Sequence, residues 1–151
     1  MSSGGYRWRS ALATAAVLAA AGCTTATPNP DGGYQQRTQL AVDDATSHVR
    51  TTEKVLQASM DGKFLGTYAL TTVRASDDTL GRAVGAYTEL YPPEPLDPLF
   101  TRANRLLGEA ADLVGESRIA LYRGDRHAYP RLVARLDELA KKLERFSGAL
   151  S

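Results

Sequence analysis

Two histidines and one cysteine are the side chains in this sequence best suited to binding a metal or acting as a nucleophile. Asp44 and His48 lie one helical turn apart and could share a metal ion. A zinc site needs three or four ligands, and neither Cys23 nor His127 is close to this pair in the sequence. We therefore interpret Asp44 and His48 as solvated residues on a helix face. The sequence predicts no metal site and no cofactor.

Known catalytic and cofactor motifs are missing as well. The sequence contains no Gly-x-Ser-x-Gly, no Walker loop and no His-Glu-x-x-His. The Glu-x-x-His pairs of di-iron bundles and the Cys-x-x-Cys-His motif of haem attachment are absent too. Asp77 and Asp78 are neighbours on a predicted helix, so their side chains point about 100° apart and do not converge on one substrate. We predict a non-enzymatic protein.

The single cysteine follows an N-terminal segment with the composition of a signal peptide. Arg7 and Arg9 give this segment a positive start, and residues 11–21 are apolar or small. Their number falls within the roughly 7 to 15 residues of a signal-peptide core. A membrane-spanning helix needs about 20 apolar residues, so this run is too short to cross a bilayer. The segment is predicted to be a leader.

Ala21 and Gly22, directly before Cys23, resemble the lipobox of bacterial lipoproteins, in which the leader is cut off before the cysteine and the cysteine thiol is diacylglycerated. The resemblance implies cleavage between Gly22 and Cys23 and lipidation of Cys23. The family pattern usually has Leu where this chain has Ala20, although relaxed lipoboxes accept Ala. The alternatives are a secretory signal cut near Ala21 and an uncleaved leader. Two acyl chains give stable membrane anchoring, so the resemblance implies a protein on the outer face of the cytoplasmic membrane.

The charge balance of the mature chain argues against nucleic acid as a partner. The whole chain has 18 basic and 17 acidic residues, and removal of Arg7 and Arg9 with the leader leaves 16 against 17. Charges of both signs are interspersed, which predicts no basic face for nucleic acid. With one cysteine, no disulfide within the chain is possible.

Three regions follow from composition. Residues 1–22 are the predicted leader, and residues 23–34 form a lipidated N-terminus and flexible linker, because residues 24–33 are rich in Thr, Pro and Gly and have no apolar period. Residues 35–151 have helical periodicity throughout and are predicted to form one domain.

Four helices are expected in that domain, at about 35–60, 63–90, 97–123 and 130–150. Gly62 and Gly124 are predicted to end the first and third helices, and prolines after Tyr91 to end the second. We predict that the second helix continues through Asp77 and Asp78. Short connections favour antiparallel neighbours. The predicted fold is therefore an all-α, up-down-up-down antiparallel four-helix bundle.

The domain also resembles a group of uncharacterised helical lipoproteins from GC-rich Gram-positive bacteria. The residues that carry the resemblance are Gly62 to Gly66, Tyr91 to Pro93 and Arg118 to Asp125. It implies no particular activity.

Glycines inside the predicted helices need a reason, because each costs up to about 1 kcal/mol relative to Ala. They are Gly81, Gly85, Gly108 and Gly115. We interpret them as positions where helices touch closely, so that Gly85→Leu would destabilise the fold by overpacking. The alternative is a ligand groove bordered by Tyr68, Tyr87 and Tyr91.

These features favour a membrane-anchored, non-enzymatic module that interacts with an envelope protein or has a structural role. The alternative is a helical bundle that binds or senses a small molecule between its second and third helices. An enzyme with an unrecognised site ranks third, and a convergent cluster of buried ionisable groups would favour it.

Overall fold

The computed structural model describes residues 30–150, and all regular secondary structure in this range is helical. The four α-helices are α1 (Pro30–Met60), α2 (Gly66–Thr88), α3 (Asp97–Arg123) and α4 (Tyr129–Gly148), and a short 3₁₀ helix, Glu94–Leu96, precedes α3. The helices pack around a common core. The predicted all-α class with four helices is thus confirmed for the described residues, whereas the up-down-up-down order stays a prediction. None of these helices is both long and apolar enough to span a membrane.

Two glycines end helices as the sequence predicts. Gly62 has a φ of 70° and Gly124 a φ of 66°, in the left-handed region that side chains disfavour. After α3, the amide of Gly124 donates to the carbonyl of Leu121 at 3.1 Å and the amide of Asp125 donates to the carbonyl of Ala120 at 2.9 Å. This pair of bonds is a Schellman motif, and it satisfies carbonyls that the helix end leaves open.

Prolines mark the other boundaries. Pro92 and Pro93 follow α2, and Pro98 and Pro130 lie in the first turns of α3 and α4. A first-turn proline has its φ already set for a helix and lacks only an amide that would have no partner there. Helix α2 is continuous across Asp77 and Asp78, as predicted.

Helix α1 begins earlier than the sequence pattern predicts. Its first residue is Pro30, so residues 30–34 of the predicted linker are helical. Tyr34 is buried in the core, and its contacts with α2 extend the helix over Gly32 and Gly33, which have no apolar pattern of their own. Residues 23–29 of the linker and the leader lie outside the described residues.

The core is filled mainly by branched aliphatic side chains from all four helices. Those that are fully buried include Val42, Val49, Leu56, Val73, Leu80, Leu107, Val114, Leu132, Leu136, Leu139 and Leu143. Every buried side-chain nitrogen or oxygen in the described range has a hydrogen-bond partner. The bundle therefore has a dry aliphatic centre with a few hydrogen-bonded polar groups.

The buried face of α1 includes polar residues and leaves out some of its apolar ones. Leu40 and Met60 are exposed, at 62% and 38%, whereas Thr38 and Thr52 are fully buried. The residues that line this face follow one another at spacings of four and three, which keeps them on one side of the helix. They are Tyr34, Thr38, Val42, Ala45, Val49, Thr52 and Leu56. Apolar character identifies Ala45, Val49 and Leu56 of this face correctly, but it misses the two threonines that take core positions.

Candidate functional site

The predicted lipidation and cleavage residues, Gly22 and Cys23, lie outside the described part of the chain. The first described contacts made by α1 involve Tyr34, one turn after Pro30. The hydroxyl of Tyr34 is 3.2 Å from that of Tyr87, near the end of α2, and the ring of Tyr87 stacks on Phe100, near the start of α3, with centroids 5.6 Å apart. The chain thus enters the bundle beside the connection between α2 and α3.

The hydroxyls of Tyr34, Thr38 and Tyr87 form a buried hydrogen-bonded cluster. Thr38 Oγ1 donates to the carbonyl of Tyr34 at 3.0 Å. Its single proton is then used, so Tyr87 must donate to Thr38 Oγ1 across 3.0 Å, and Tyr34 must donate to Tyr87. Burial, together with this donation to Tyr87, raises the pKa of Tyr34 above its ordinary value of 10. The cluster joins α1 to α2 through hydrogen bonds between hydroxyl groups.

The glycines of α2 and α3 do not mark close contacts between helices. A Cβ added at Gly81, Gly85 or Gly108 would meet no neighbouring atom within 4 Å, and Gly81 and Gly85 are exposed. The expectation of close helix contact is therefore wrong at these positions, and this contact was the reason for expecting Gly85→Leu to overpack. At Gly115 an added Cβ would lie 3.4 Å from Asp77 Oδ1, an ordinary contact with a side chain.

The tyrosines expected to border the groove are also separated. Tyr87 is 3% exposed and belongs to the core, whereas Tyr68 is 58% and Tyr91 97% exposed. Tyr91 lines an open cleft of about 340 Å³ at the connection between α2 and α3. The residues around this cleft are Thr88, Glu89, Leu90, Tyr91, Pro92, Asp97 and Phe100. A concave apolar surface thus exists between the second and third helices, but at their connection.

The two residues considered as metal ligands, Asp44 and His48, lie close together in α1. His48 Nε2 and Asp44 Oδ1 are 3.7 Å apart. Throughout the part of the chain that the structure describes, no group of three or more His, Cys, Asp or Glu side chains is arranged to hold a metal ion.

A cluster of ionisable groups between α1 and α4 was not predicted from the sequence. Arg50 donates to Glu53 at 2.9 Å, to Asp137 at 2.8 Å and to Glu144 through two nitrogens at 3.0 and 2.9 Å. Lys141 donates to Asp137 at 2.7 Å. The hydrogen bonds from Lys141 and Arg50 lower the pKa of Asp137, and the same bonds raise the pKa values of Lys141 and Arg50. These partners hold each other in their charged forms, which suits a link between helices better than proton transfer near neutral pH.

Exposed apolar side chains form a second unpredicted feature, which we call the aromatic surface: Phe64, Leu65 and Tyr68. Leu65 is 82% exposed, and the rings of Phe64 and Tyr68 lie 5.1 Å apart. Phe64 also lines a cleft of about 210 Å³ between the turn after α1 and the end of α3. The other residues around this cleft are Ser59, Gly66, Leu121, Gly124, Arg126 and Tyr129.

Four basic side chains line a third feature, which we call the basic cleft. Arg102 and Arg105 come from α3, Lys142 and Arg145 come from α4, and with Leu106 they surround about 150 Å³. The expectation of no basic face rested on the near-zero net charge, which hides a local cluster. The sequence did carry a signal for the basic cleft. On each helix the two basic residues are three positions apart, which places them on the same side of the helix.

Comparison with protein families, with curated proteins and with solved structures finds no match to this chain. Its function must therefore be inferred from its own residues and their contacts.

Proposed function

We propose that this protein is a lipoprotein held on the extracytoplasmic face of the cell membrane by acylated Cys23, and that its bundle is a non-enzymatic module that binds an envelope protein. The support for the anchor is the sequence before Cys23, with its positive start, its short apolar core and the small residues Ala21 and Gly22. The ion pairs of Arg50 support a structural rather than a catalytic use of the charged groups.

The proposal includes the up-down-up-down order of the helices. Three cross-helix contacts support it: Tyr34 with Tyr87 near the end of α2, Asp43 with Ser147 near the end of α4, and Glu109 with Lys142. In this order one end of the bundle, which we call the proximal end, holds the start of α1, the end of α2, the start of α3 and the end of α4. The opposite, distal end holds the aromatic surface.

The exposure of the aromatic surface is the observation that favours a protein partner. Leu65 and Tyr68 place large apolar side chains in water, at 82% and 58% exposure, next to Phe64. Adjacent exposed apolar groups of this kind are typical of interaction sites, and aromatic residues contribute strongly to the energy of binding. An anchor at Cys23 attaches to α1 at the proximal end and would leave the aromatic surface facing away from the membrane.

Intact mass spectrometry of the protein extracted from its native membrane tests the anchor. We expect a chain that begins at Cys23 and carries a diacylglyceryl group. A chain without lipid would contradict the anchor. As a variant, Cys23→Ala should stay unprocessed or be released from the membrane.

Photocrosslinking in intact cells tests the partner. A photoreactive residue at Leu65 should capture an envelope protein, whereas the same residue at Leu40 should not, although Leu40 is also an exposed leucine at 62%. Equal crosslinking from both positions, or none from Leu65, would contradict an interface at the aromatic surface.

A small-molecule-binding bundle is the second candidate, and the cleft at Tyr91 is the observation that favours it. Its volume of about 340 Å³ falls in the range of ligand pockets, about 300 to 1,000 Å³. Native mass spectrometry of the protein from its own cells should then show a bound molecule, which Leu90→Arg removes. The same bound mass on both proteins, or no bound molecule on either, would reject this candidate.

A further inference from the structure

The basic cleft brings four basic side chains from two helices to one place. Arg102 and Arg105 also line an adjoining cleft of about 520 Å³ with Asp97, Pro98 and Thr101. The four basic residues of the basic cleft are all exposed. Several cations at one place repel each other, so the site favours an anion from solution.

Few carboxylates offset this charge. Lys142 is 3.3 Å from Glu109, and the guanidinium of Arg102 lies 5.1 Å from the centre of the Phe146 ring. In the described part of the chain, no carboxylate forms an ion pair with Arg102, Arg105 or Arg145. Arg74, Arg82 and Arg123 also have no such ion pair among the described residues, so the distinctive property of the cleft is that its arginines line one cavity together. Three guanidinium groups in the basic cleft are therefore free to bind an external anion.

The position of the cleft indicates which anion. Tyr87 connects the start of α1 to the start of α3, because its hydroxyl bonds to Tyr34 and its ring stacks on Phe100. Arg102 follows Phe100 by two residues in the first turns of α3. The basic cleft is therefore close to the part of the bundle where α1 begins. From Pro30 back to Cys23 the chain spans at most about 25 Å. If Cys23 is acylated, as the proposed function states, the basic cleft is kept near a membrane.

We propose that the basic cleft binds the anionic phospholipid headgroups of the membrane that carries the anchor. Guanidinium groups suit this ligand, because their fork of N–H donors matches the oxygens of a phosphate. Attraction to a charged membrane falls off within a Debye length, about 10 Å at 0.1 M salt, so the tether must let the cleft reach the headgroups. With the cleft docked, the bundle has a fixed orientation, with the aromatic surface directed outward.

Vesicle cosedimentation tests the headgroup contact apart from the anchor. The chain is purified without residues 1–22 and with Cys23→Ser, which keeps every described helix and removes both leader and acyl chains. Binding is measured to vesicles of phosphatidylglycerol with phosphatidylcholine, and to phosphatidylcholine alone. The cleft variant carries Arg102→Ser, Arg105→Ser and Arg145→Ser. The control variant carries Arg74→Ser, Arg82→Ser and Arg123→Ser, which gives the same net charge from exposed positions outside the cleft.

We expect binding to the vesicles that contain phosphatidylglycerol only. One basic residue near an anionic surface is worth about fivefold in affinity, so we expect the cleft variant to lose at least about tenfold. The control variant should keep most of the binding. Raising the salt from about 0.1 M to about 1 M should abolish binding, because the Debye length falls to about 3 Å. Circular dichroism should show that all three proteins have the same helical spectrum and stay folded at the temperature of the binding assay.

Equal loss of binding in the two variants would overturn the proposal, because net charge and not the cleft would then be responsible. Equal binding to both kinds of vesicle, or no binding to either, would overturn it too. A native protein without lipid at Cys23 but with cleft-dependent vesicle binding would contradict the anchor alone. The two proposals therefore fail separately.

Discussion

Helices α1 and α4 pack against each other, yet their buried residues differ in chemistry. α4 contributes a continuous series of buried leucines, Leu132, Leu136, Leu139 and Leu143. α1 contributes small or polar groups at many of its buried positions, among them Thr38, Thr52 and Glu53. The hydrophobic periodicity is accordingly the strongest of the four helices in α4 and the weakest in α1.

The threonines of α1 show how a helix with a weak apolar pattern can still be buried. Thr38, Thr46 and Thr52 each donate their hydroxyl to the carbonyl four residues earlier, at 3.0, 2.7 and 2.9 Å. A hydroxyl satisfied within its own helix needs no partner across the interface, so its burial costs little. α4 adds four fully buried leucines to the core that the two helices share.

The largest effect is expected at Leu136 of α4, which is fully buried. Leu136→Ala removes apolar contacts and leaves a cavity, which should lower the free energy of unfolding by about 3 kcal/mol. Denaturant unfolding followed by circular dichroism measures it. The control is Leu40→Ala on α1, where the exposed leucine should cost under about 0.5 kcal/mol. Similar losses in the free energy of unfolding at both positions would contradict the difference between the buried leucines of α4 and the exposed leucine of α1.

Arg50 of α1 is expected to give the next largest effect. Arg50→Met leaves the buried carboxylate of Glu53 without its cation, which should cost about 2 kcal/mol near neutral pH. Arg74→Met, at an exposed position without an ion pair, should change little.

The loss at Arg50 should depend on pH. The lowered pKa of Asp137 means that its ion pairs stabilise the fold above about pH 4, the ordinary range of a carboxyl group, and that this stability is lost as the pH falls through the lowered pKa. The difference between the wild type and Arg50→Met should therefore shrink below about pH 4. A difference that stays constant down to pH 2 would mean that Arg50 acts through packing alone.

Removing the Tyr87 hydroxyl from its cluster should lower the free energy of unfolding by a smaller amount. Tyr87→Phe keeps the ring and its stacking on Phe100 but removes the hydrogen bonds to Tyr34 and Thr38. We expect a loss of about 1 kcal/mol in the free energy of unfolding. Faster amide hydrogen exchange in the first turns of α1 should accompany it. Unchanged exchange there would show that other contacts hold the start of α1.

Gly85 is exposed on α2, so a substitution there tests helix propensity without a change in core packing. Gly85→Ala should raise the free energy of unfolding by up to about 1 kcal/mol, because Ala has the better helix propensity and its Cβ meets no atom within 4 Å. A lower melting temperature for this variant would mean that Gly85 makes a close helix contact, which the structure contradicts.

The smallest effect is expected at Thr52. Thr52→Val exchanges a hydroxyl that bonds only to the carbonyl of His48 for a methyl group of similar size. We expect a change under about 0.5 kcal/mol, since that carbonyl also accepts the backbone amide of the same turn. A loss above about 1 kcal/mol would show that the threonines of α1 contribute across the interface.

The sequence predicted the helices best where local signals agree. Gly62 and Gly124 end helices, Pro130 lies in a first turn, and the leucines of α4 are buried, because backbone freedom, a fixed φ and periodicity are properties of a few neighbouring residues. The start of α1 was predicted too late, since Tyr34 is ordered by a partner 53 positions away in the chain.

The candidate sites were harder to predict for the same reason. Tyr87 was expected at a groove, but its neighbours Thr38 and Phe100 come from two other helices. Gly81 and Gly85 were expected at helix contacts, but their side of α2 faces solvent. Which side of a helix meets a neighbour depends on the packing of the whole bundle.

The sequence alone predicts helices around an aliphatic core for residues 35–150, because periodicity and helix-ending residues act over a few positions. It also carries the whole case for acylation of Cys23. Only the tertiary structure decided that Arg50 joins α1 to α4, that Phe64, Leu65 and Tyr68 stay in water, and that basic residues of α3 and α4 share a cleft. These arrangements join residues far apart in the chain, and packing alone brings them together.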